Sequence, residues 1–182
     1  MPDRLYFTGS DDANALIASD PMALLLGFAL DQRVTVMKAF EGPLLLKQRL
    51  GSLDAATLGH ADLEPVFRER PPVHRFPASM AKRVNALAEH LVEHYDGDAG
   101  RVWEDASTPE ELEANVRALP GFGDVKSYGL FGILAKRYGV QLAEPLLPGH
   151  PTLGDVDSPE ALAEYQAFKR AEKAAMRAAK AS

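Results

Sequence analysis

The 182 residues are 46% apolar and 25% charged, the balance of a soluble globular chain long enough for one sizeable domain. The lack of cysteine excludes disulfides, thiolate zinc sites and cysteine-ligated iron–sulfur clusters, and no apolar run approaches the ~20 residues of a membrane span. A net charge of −6 argues against broad, non-specific nucleic-acid binding, but the charge is uneven: residues 166–182 carry +4, which leaves −10 for the rest.

Met1-Pro2-Asp3-Arg4 lacks a basic region followed by an apolar core, so no secretory signal is expected and a cytoplasmic location is the default. Residues 5–8 read as a short extended piece. A helix over residues 11–18, capped by Ser10 or Asp11, comes next. Asp20-Pro21 opens a second helix, with aspartate as cap and proline in its first turn. Residues 22–30 are apolar nearly all round, the mark of a buried helix. They run into an abrupt polar triplet, Asp31-Gln32-Arg33, which either caps the helix or faces a groove. A third helical stretch over 34–50 carries Gly42-Pro43, where a kink or break is expected. Two short helices over 53–70, separated near Gly59-His60, lead to Pro71-Pro72-Val73-His74-Arg75-Phe76-Pro77, a stiff connector and the best candidate for a lobe boundary.

Ser79 is the expected cap of a long helix to Tyr95. Its apolar positions Met80, Val84, Leu87, Leu91 and Tyr95 recur at spacings of four, three, four and four. Val102-Trp103 reads as a buried anchor. Thr108-Pro109-Glu110-Glu111 is a helix start with a capping-box pattern, followed by an apolar face of Leu112, Val116 and Leu119. Leu119-Pro120-Gly121-Phe122-Gly123 then forms a tight turn into a helix over 125–138 that stops at Gly139. Gly121 and Gly123 permit positive φ and close backbone approach. The free N–H groups and dipole at the start of the second helix suit an anion such as a nucleic-acid phosphate, with Lys126 as an added cation. Residues 139–157 are rich in glycine and proline and read as a long ordered loop. Ser158-Pro159 opens a last helix that packs through Leu162, Tyr165 and Phe168 and frays into the basic tail. No repeat and no sustained strand alternation occurs, so the chain is expected to be all-α.

Three constellations bear on chemistry. His90-Leu91-Val92-Glu93-His94 matches the H-x-x-E-H string of some zinc peptidases, although helices rich in Glu and His produce it by chance and solvated flanks explain it better. Arg33 at a groove mouth can pair with phosphate or intrude between bases, or the triplet simply caps its helix. Lys82 and Arg83 more often form a solvated face. Acid–base work near the turn would fall to Glu144, Asp155 or Asp157 in the following loop, each of which also has an ordinary surface or capping explanation.

The turn, within a chain that reads as all helix, resembles the hairpin of the helix-hairpin-helix (HhH-GPD) DNA glycosylase superfamily. Leu30-Asp31-Gln32-Arg33-Val34-Thr35 is similar to the L-x-Q-x-V-S stretch of 3-methyladenine-type members, and residues 79–91 to the helix preceding their hairpin unit. His74-Arg75-Phe76-Pro77 with Ser79-Met80-Ala81 resembles a small bacterial branch of the superfamily. The resemblance spans roughly residues 22–140. It implies one domain over 1–182 made of two helical lobes, with the hairpin unit at about 108–139 and a basic helix at about 158–182. It implies double-stranded DNA as partner, a monomer, and no metal or cofactor. The implied DNA contacts are Gln32 and Arg33 at the flipped base and Gly121, Phe122, Gly123 and Lys126 at the backbone. The implied activity is monofunctional base removal, or lesion binding without chemistry. The chain departs from the family at two places. Val125 stands where bifunctional members carry lysine, and Leu142-Ala143-Glu144-Pro145 stands where the family aspartate falls. The carboxylate would then come from Glu144, Asp155 or Asp157.

Overall fold

Asp20 accepts the N–H groups of Met22 and Ala23 and so starts the helix on which the rest is packed, α2 (Pro21–Leu30), whose residues from Met22 onward are all buried. In the computed structural model, which describes residues 1–181, α1 (Asp11–Ser19) precedes it, capped by Ser10. The chain continues through α3 (Val36–Leu50), α4 (Ala55–His60), α5 (Glu64–Arg68), α6 (Pro77–Tyr95), α7 (Arg101–Glu104), α8 (Pro109–Ala118) and α9 (Asp124–Lys136). Two 3-10 turns, Gln141–Leu146 and Leu153–Asp155, precede α10 (Pro159–Ala181). The described residues contain no strand, and the protein is all-α.

Helix α3 runs unbroken through Gly42-Pro43. Proline removes one hydrogen bond there, and packing compensates for it. A Cβ at Gly42 would lie 2.4 Å from Leu30, and one at Gly27 would lie 2.2 Å from Phe40. The two glycines therefore let α2 and α3 cross at close range. A chain of aromatic rings follows from that crossing. Phe7, Phe40, Phe28 and Phe122 stack edge to face or tilted, with successive centroids 5.0, 5.2 and 5.9 Å apart. It links the N-terminal segment to the turn between α8 and α9.

The connector at 71–77 is tied into the structure rather than standing off it. Val73 and His74 are buried, and His74 bonds to the end of α2. Helix α6 starts at Pro77, not at Ser79. No side chain caps it, and proline in its first turn supplies the helical φ and needs no N–H partner there. Its expected stripe, from Met80 to Tyr95, is buried throughout, as are Val102 and Trp103. The long loop after α9 holds its shape through the two 3-10 turns. Gly154 packs so tightly on Gly132 of α9 that a Cβ would lie 2.1 Å from the Gly132 carbonyl oxygen. Tyr138 donates its hydroxyl proton toward the Ile17 and Ala18 carbonyls and so joins the end of α9 to the end of α1. Helix α10 does not fray within the described residues. It is continuous to Ala181, although Leu162 is its one buried residue.

Candidate functional site

The turn at 119–123 is built by ordinary local rules. Thr108 accepts the Glu111 N–H at 3.2 Å and starts α8, while the Glu111 carboxylate accepts the N–H of Ser107 rather than that of Thr108. Leu112, Val116 and Leu119 are buried as their spacing requires. Phe122 N–H donates to the Leu119 carbonyl at 3.1 Å, with Pro120 and Gly121 between them. Gly121 has φ +81°, the left-handed value that a type II turn demands after proline. Arg117 then joins the two helices. It pairs with Glu113 one turn back and with Asp124 at the start of α9, and its guanidinium lies 5.8 Å from the Tyr128 ring centre.

Two expectations at this turn are corrected. Gly123 has φ −95°, extended backbone open to any residue, and nothing lies within 4 Å of a Cβ built there. Phe122 is buried against Phe28 and anchors the turn to the core, so its side chain is not free to touch a ligand. The remaining expectation concerns the end of α9. No side chain caps the helix at Gly123, which leaves its first N–H groups to solvent or a ligand.

Cations and one half-buried carboxylate gather around that helix end. Lys126, in the first turn of α9, has its Nζ buried with no hydrogen-bond partner, and so does the Oγ of Ser127. Burial, reinforced by the nearby Arg83 guanidinium and partly offset by Asp31, brings the Lys126 amine down to about 8. Arg83, from α6, packs on the turn. Its Nη1 lies 3.0 Å from where a Gly121 Cβ would stand. Asp31, at the end of α2, is pushed above the usual carboxylate range by burial, against the pull of Lys126 and Lys169. Tyr165 of α10 stands close enough to that carboxylate for its phenol to be raised to about 12, chiefly by burial and then by Asp31.

The segment after Asp31 is shaped by its hydrogen bonds. Asp31 and Gln32 donate their N–H groups to the Phe28 and Leu30 carbonyls at 3.2 and 2.8 Å, which closes α2. Arg33 follows at φ 57°, a left-handed value that costs a non-glycine residue on the order of 1 kcal/mol, with its side chain exposed. Thr35 then caps α3 by accepting the Lys38 N–H. The structure thus brings Lys126, Asp31 and Arg83 together at the turn of Gly121 and Gly123, while Gln32 and Arg33 are placed only as the residues that follow Asp31. A polar triplet at the end of an apolar helix was the only sequence signal for Asp31. Nothing in the sequence distinguished Arg83 from Lys82, which is exposed.

The loop carboxylates are placed differently. Glu144, Asp155 and Asp157 are all exposed. Asp155 holds Lys136 at 2.5 Å and completes a capping box with Thr152, a structural assignment in which burial raises its carboxyl but these bonds hold it below the usual range. The histidine string does not assemble a site. The His90 and His94 rings lie 4.4 Å apart, Glu93 turns to His94, and no group of three or more His, Asp or Glu among the described residues could hold a metal ion. Burial and the neighbouring His94 lower the His90 imidazole below its usual value.

No single helix is long and apolar enough to cross a membrane among the described residues. No protein-family model, no curated protein and no solved structure matches the chain.

Proposed function

We propose that the protein is a helix-hairpin-helix DNA-repair protein that binds damaged duplex DNA and removes the damaged base by monofunctional hydrolysis. The observation that carries the reading is the gathering of Arg83 and Lys126 at an uncapped helix start, with Asp31 beside Lys126 and Arg33 two residues along the chain from Asp31. Uncapped N–H groups and the helix dipole favour a backbone phosphate. The unpartnered amine of Lys126 gains a counter-ion when that phosphate arrives. Arg33, lifted by its left-handed backbone, enters the stack where the damaged nucleotide has been extruded, and Gln32 lies next to it.

Asp31 takes the role that the family resemblance would give to a loop residue. Its carboxylate stabilises the oxocarbenium-like sugar as the N-glycosidic bond breaks. Water then adds at the anomeric carbon, its hydroxyl staying on the sugar and its proton balancing the departing base. The chemistry requires no metal or cofactor.

A second reading, lesion binding without chemistry, is favoured by the exposure of Glu144, Asp155 and Asp157 and by the ties of Asp155 to Lys136 and Thr152. Incubation with duplexes carrying alkylated, deaminated or oxidised bases, followed by alkali to reveal abasic sites, separates the two. Release that is lost in Asp31→Asn and kept in Glu144→Gln, Asp155→Asn and Asp157→Asn is the expected result. Absence of release from every duplex, with tight binding to abasic DNA, establishes the second reading.

A further inference from the structure

Helix α10 is the most exposed long element of the protein. Leu162 is the one buried residue among its 23. Beyond Glu172 it carries no acid up to Ala181, in a chain whose remainder is acidic. Lys169 is engaged by Glu172 at 2.8 Å. The other cations, Arg170, Lys173, Arg177 and Lys180, have no carboxylate in ion-pair reach among the described residues. At 100° per residue these four fall within roughly 80° of the helix circumference, a single stripe about 15 Å long.

The position of the stripe matters more than its charge. Arg170 and Lys173 form one wall of a groove of about 320 Å³ whose opposite wall is Val34, Thr35 and Val36. Those residues directly follow Arg33. The groove therefore leads from the candidate site along α10, with cations on its outer side. Five successive phosphates of one DNA strand span about 14 Å, at ~3.4 Å of axial rise per step, close to the length of the stripe. Beyond Arg170 the opposite face of the helix is Ala171, Glu172, Ala175 and Ala179, too little apolar bulk for anchoring in a lipid surface.

We propose that the stripe Arg170–Lys173–Arg177–Lys180 is a second DNA-contacting surface, which holds the sugar–phosphate backbone of the strand leaving Arg33. The surface rests on the DNA-repair reading above and extends the contact beyond the hairpin. It supplies affinity without sequence preference, because phosphates carry none. It also accounts for a basic helix on an acidic protein: the remaining surface repels DNA, and the strand is drawn to one face.

The test is fluorescence anisotropy of a labelled duplex containing one abasic site, titrated from low to moderate salt. The wild type is compared with Arg170→Gln/Lys173→Gln/Arg177→Gln/Lys180→Gln and with the milder pair Arg177→Gln/Lys180→Gln. All four side chains are on an exposed helix face, and circular dichroism confirms that helix content is kept. In the expected result the quadruple variant binds ten-fold or more weaker at moderate salt. Its slope of log affinity against log salt falls by about 3.6, and that of the pair by about 1.8, at ~0.9 for each phosphate that is no longer neutralised. A wild type that binds with a slope unchanged in both variants overturns the stripe and leaves the repair reading standing. A wild type that does not bind duplex DNA overturns both. In that case, capture by phosphatidylserine vesicles that is lost in the quadruple variant reassigns the stripe to a lipid surface.

Discussion

The imidazole of His74 joins two segments 44 residues apart. Its Nε2–H donates to the Leu30 carbonyl at 3.1 Å, and its Nδ1 accepts the Phe76 N–H at 3.0 Å. Both ring nitrogens are used, so the buried ring is neutral and in one tautomer. The bond fixes the last turn of α2 just before Asp31, Gln32 and Arg33 leave it. The connector thus sets the position of the candidate wedge while standing away from it in sequence. His74→Phe leaves the Leu30 carbonyl and the Phe76 N–H to find other partners. A loss of about 1–3 kcal/mol in denaturant unfolding is expected. A loss below ~0.5 kcal/mol would show that the bond does not hold the segment.

The same ring makes stability depend on pH. Burial lowers the His74 imidazole below its usual 6.5, against the opposing hydrogen bonds to the α2 end. The unfolded chain therefore takes up a proton on the way down from pH ~7 while the folded chain does not. The stability contributed by the neutral ring is whole above 6.5 and declines as pH falls toward the lowered folded value. Urea midpoints between pH 5 and 8 should show this fall in the wild type, and His74→Phe should reduce it. An identical pH profile for both proteins would assign the dependence to another group, with His90 the next to test because its imidazole is lowered too.

The two glycines of the turn are expected to separate folding from binding. Gly121 needs its φ of +81°, and a Cβ there would press on Arg83 at 3.0 Å. Gly121→Val should cost on the order of 2 kcal/mol and disturb Arg83. Gly123 is extended and faces open space, so Gly123→Val should leave thermal unfolding within about 0.5 kcal/mol of the wild type. Any loss of duplex affinity in that variant then measures the room a phosphate needs at the start of α9. Full affinity in a folded Gly123→Val protein would remove this helix end from the DNA contact.

Much of the fold was legible because single helices announce themselves. The spacing of Met80, Val84, Leu87, Leu91 and Tyr95 fixed the inner face of α6, and Asp20-Pro21 and Thr108-Pro109 marked two starts. What escaped was set by contacts distant in sequence. Gly42-Pro43 reads as a break locally, yet α3 stays whole because Gly42 seats Leu30 and keeps it packed on α2. Phe122 reads as a loop residue free to meet a ligand, but Phe28 draws it into the core. The candidate carboxylate escaped for the same reason. Glu144, Asp155 and Asp157 were near the turn along the chain, whereas Asp31 reaches Lys126 only because α2 ends over the first turn of α9.

Lys126 carries the last prediction, in which stability and binding move in opposite directions. Its amine is brought down to about 8 from an ordinary 10.5, mainly by burial, and it has no hydrogen-bond partner. The folded chain therefore holds fewer protons than the unfolded chain between those values, and wild-type stability rises with pH across that window. Lys126→Met keeps the apolar stem and removes the charge. Allowing for partial exposure, it should raise stability at neutral pH by about 1 kcal/mol, or ~2–4 °C in melting temperature, and abolish the alkaline rise. Its duplex affinity should fall instead, because a phosphate at the helix start loses its cation. Above pH 8 the wild type must take up a proton to bind, so its affinity should decline with pH while that of Lys126→Arg declines less. A Lys126→Met protein both less stable and equally tight on DNA would mean that the amine has an internal structural partner and no part in holding phosphate.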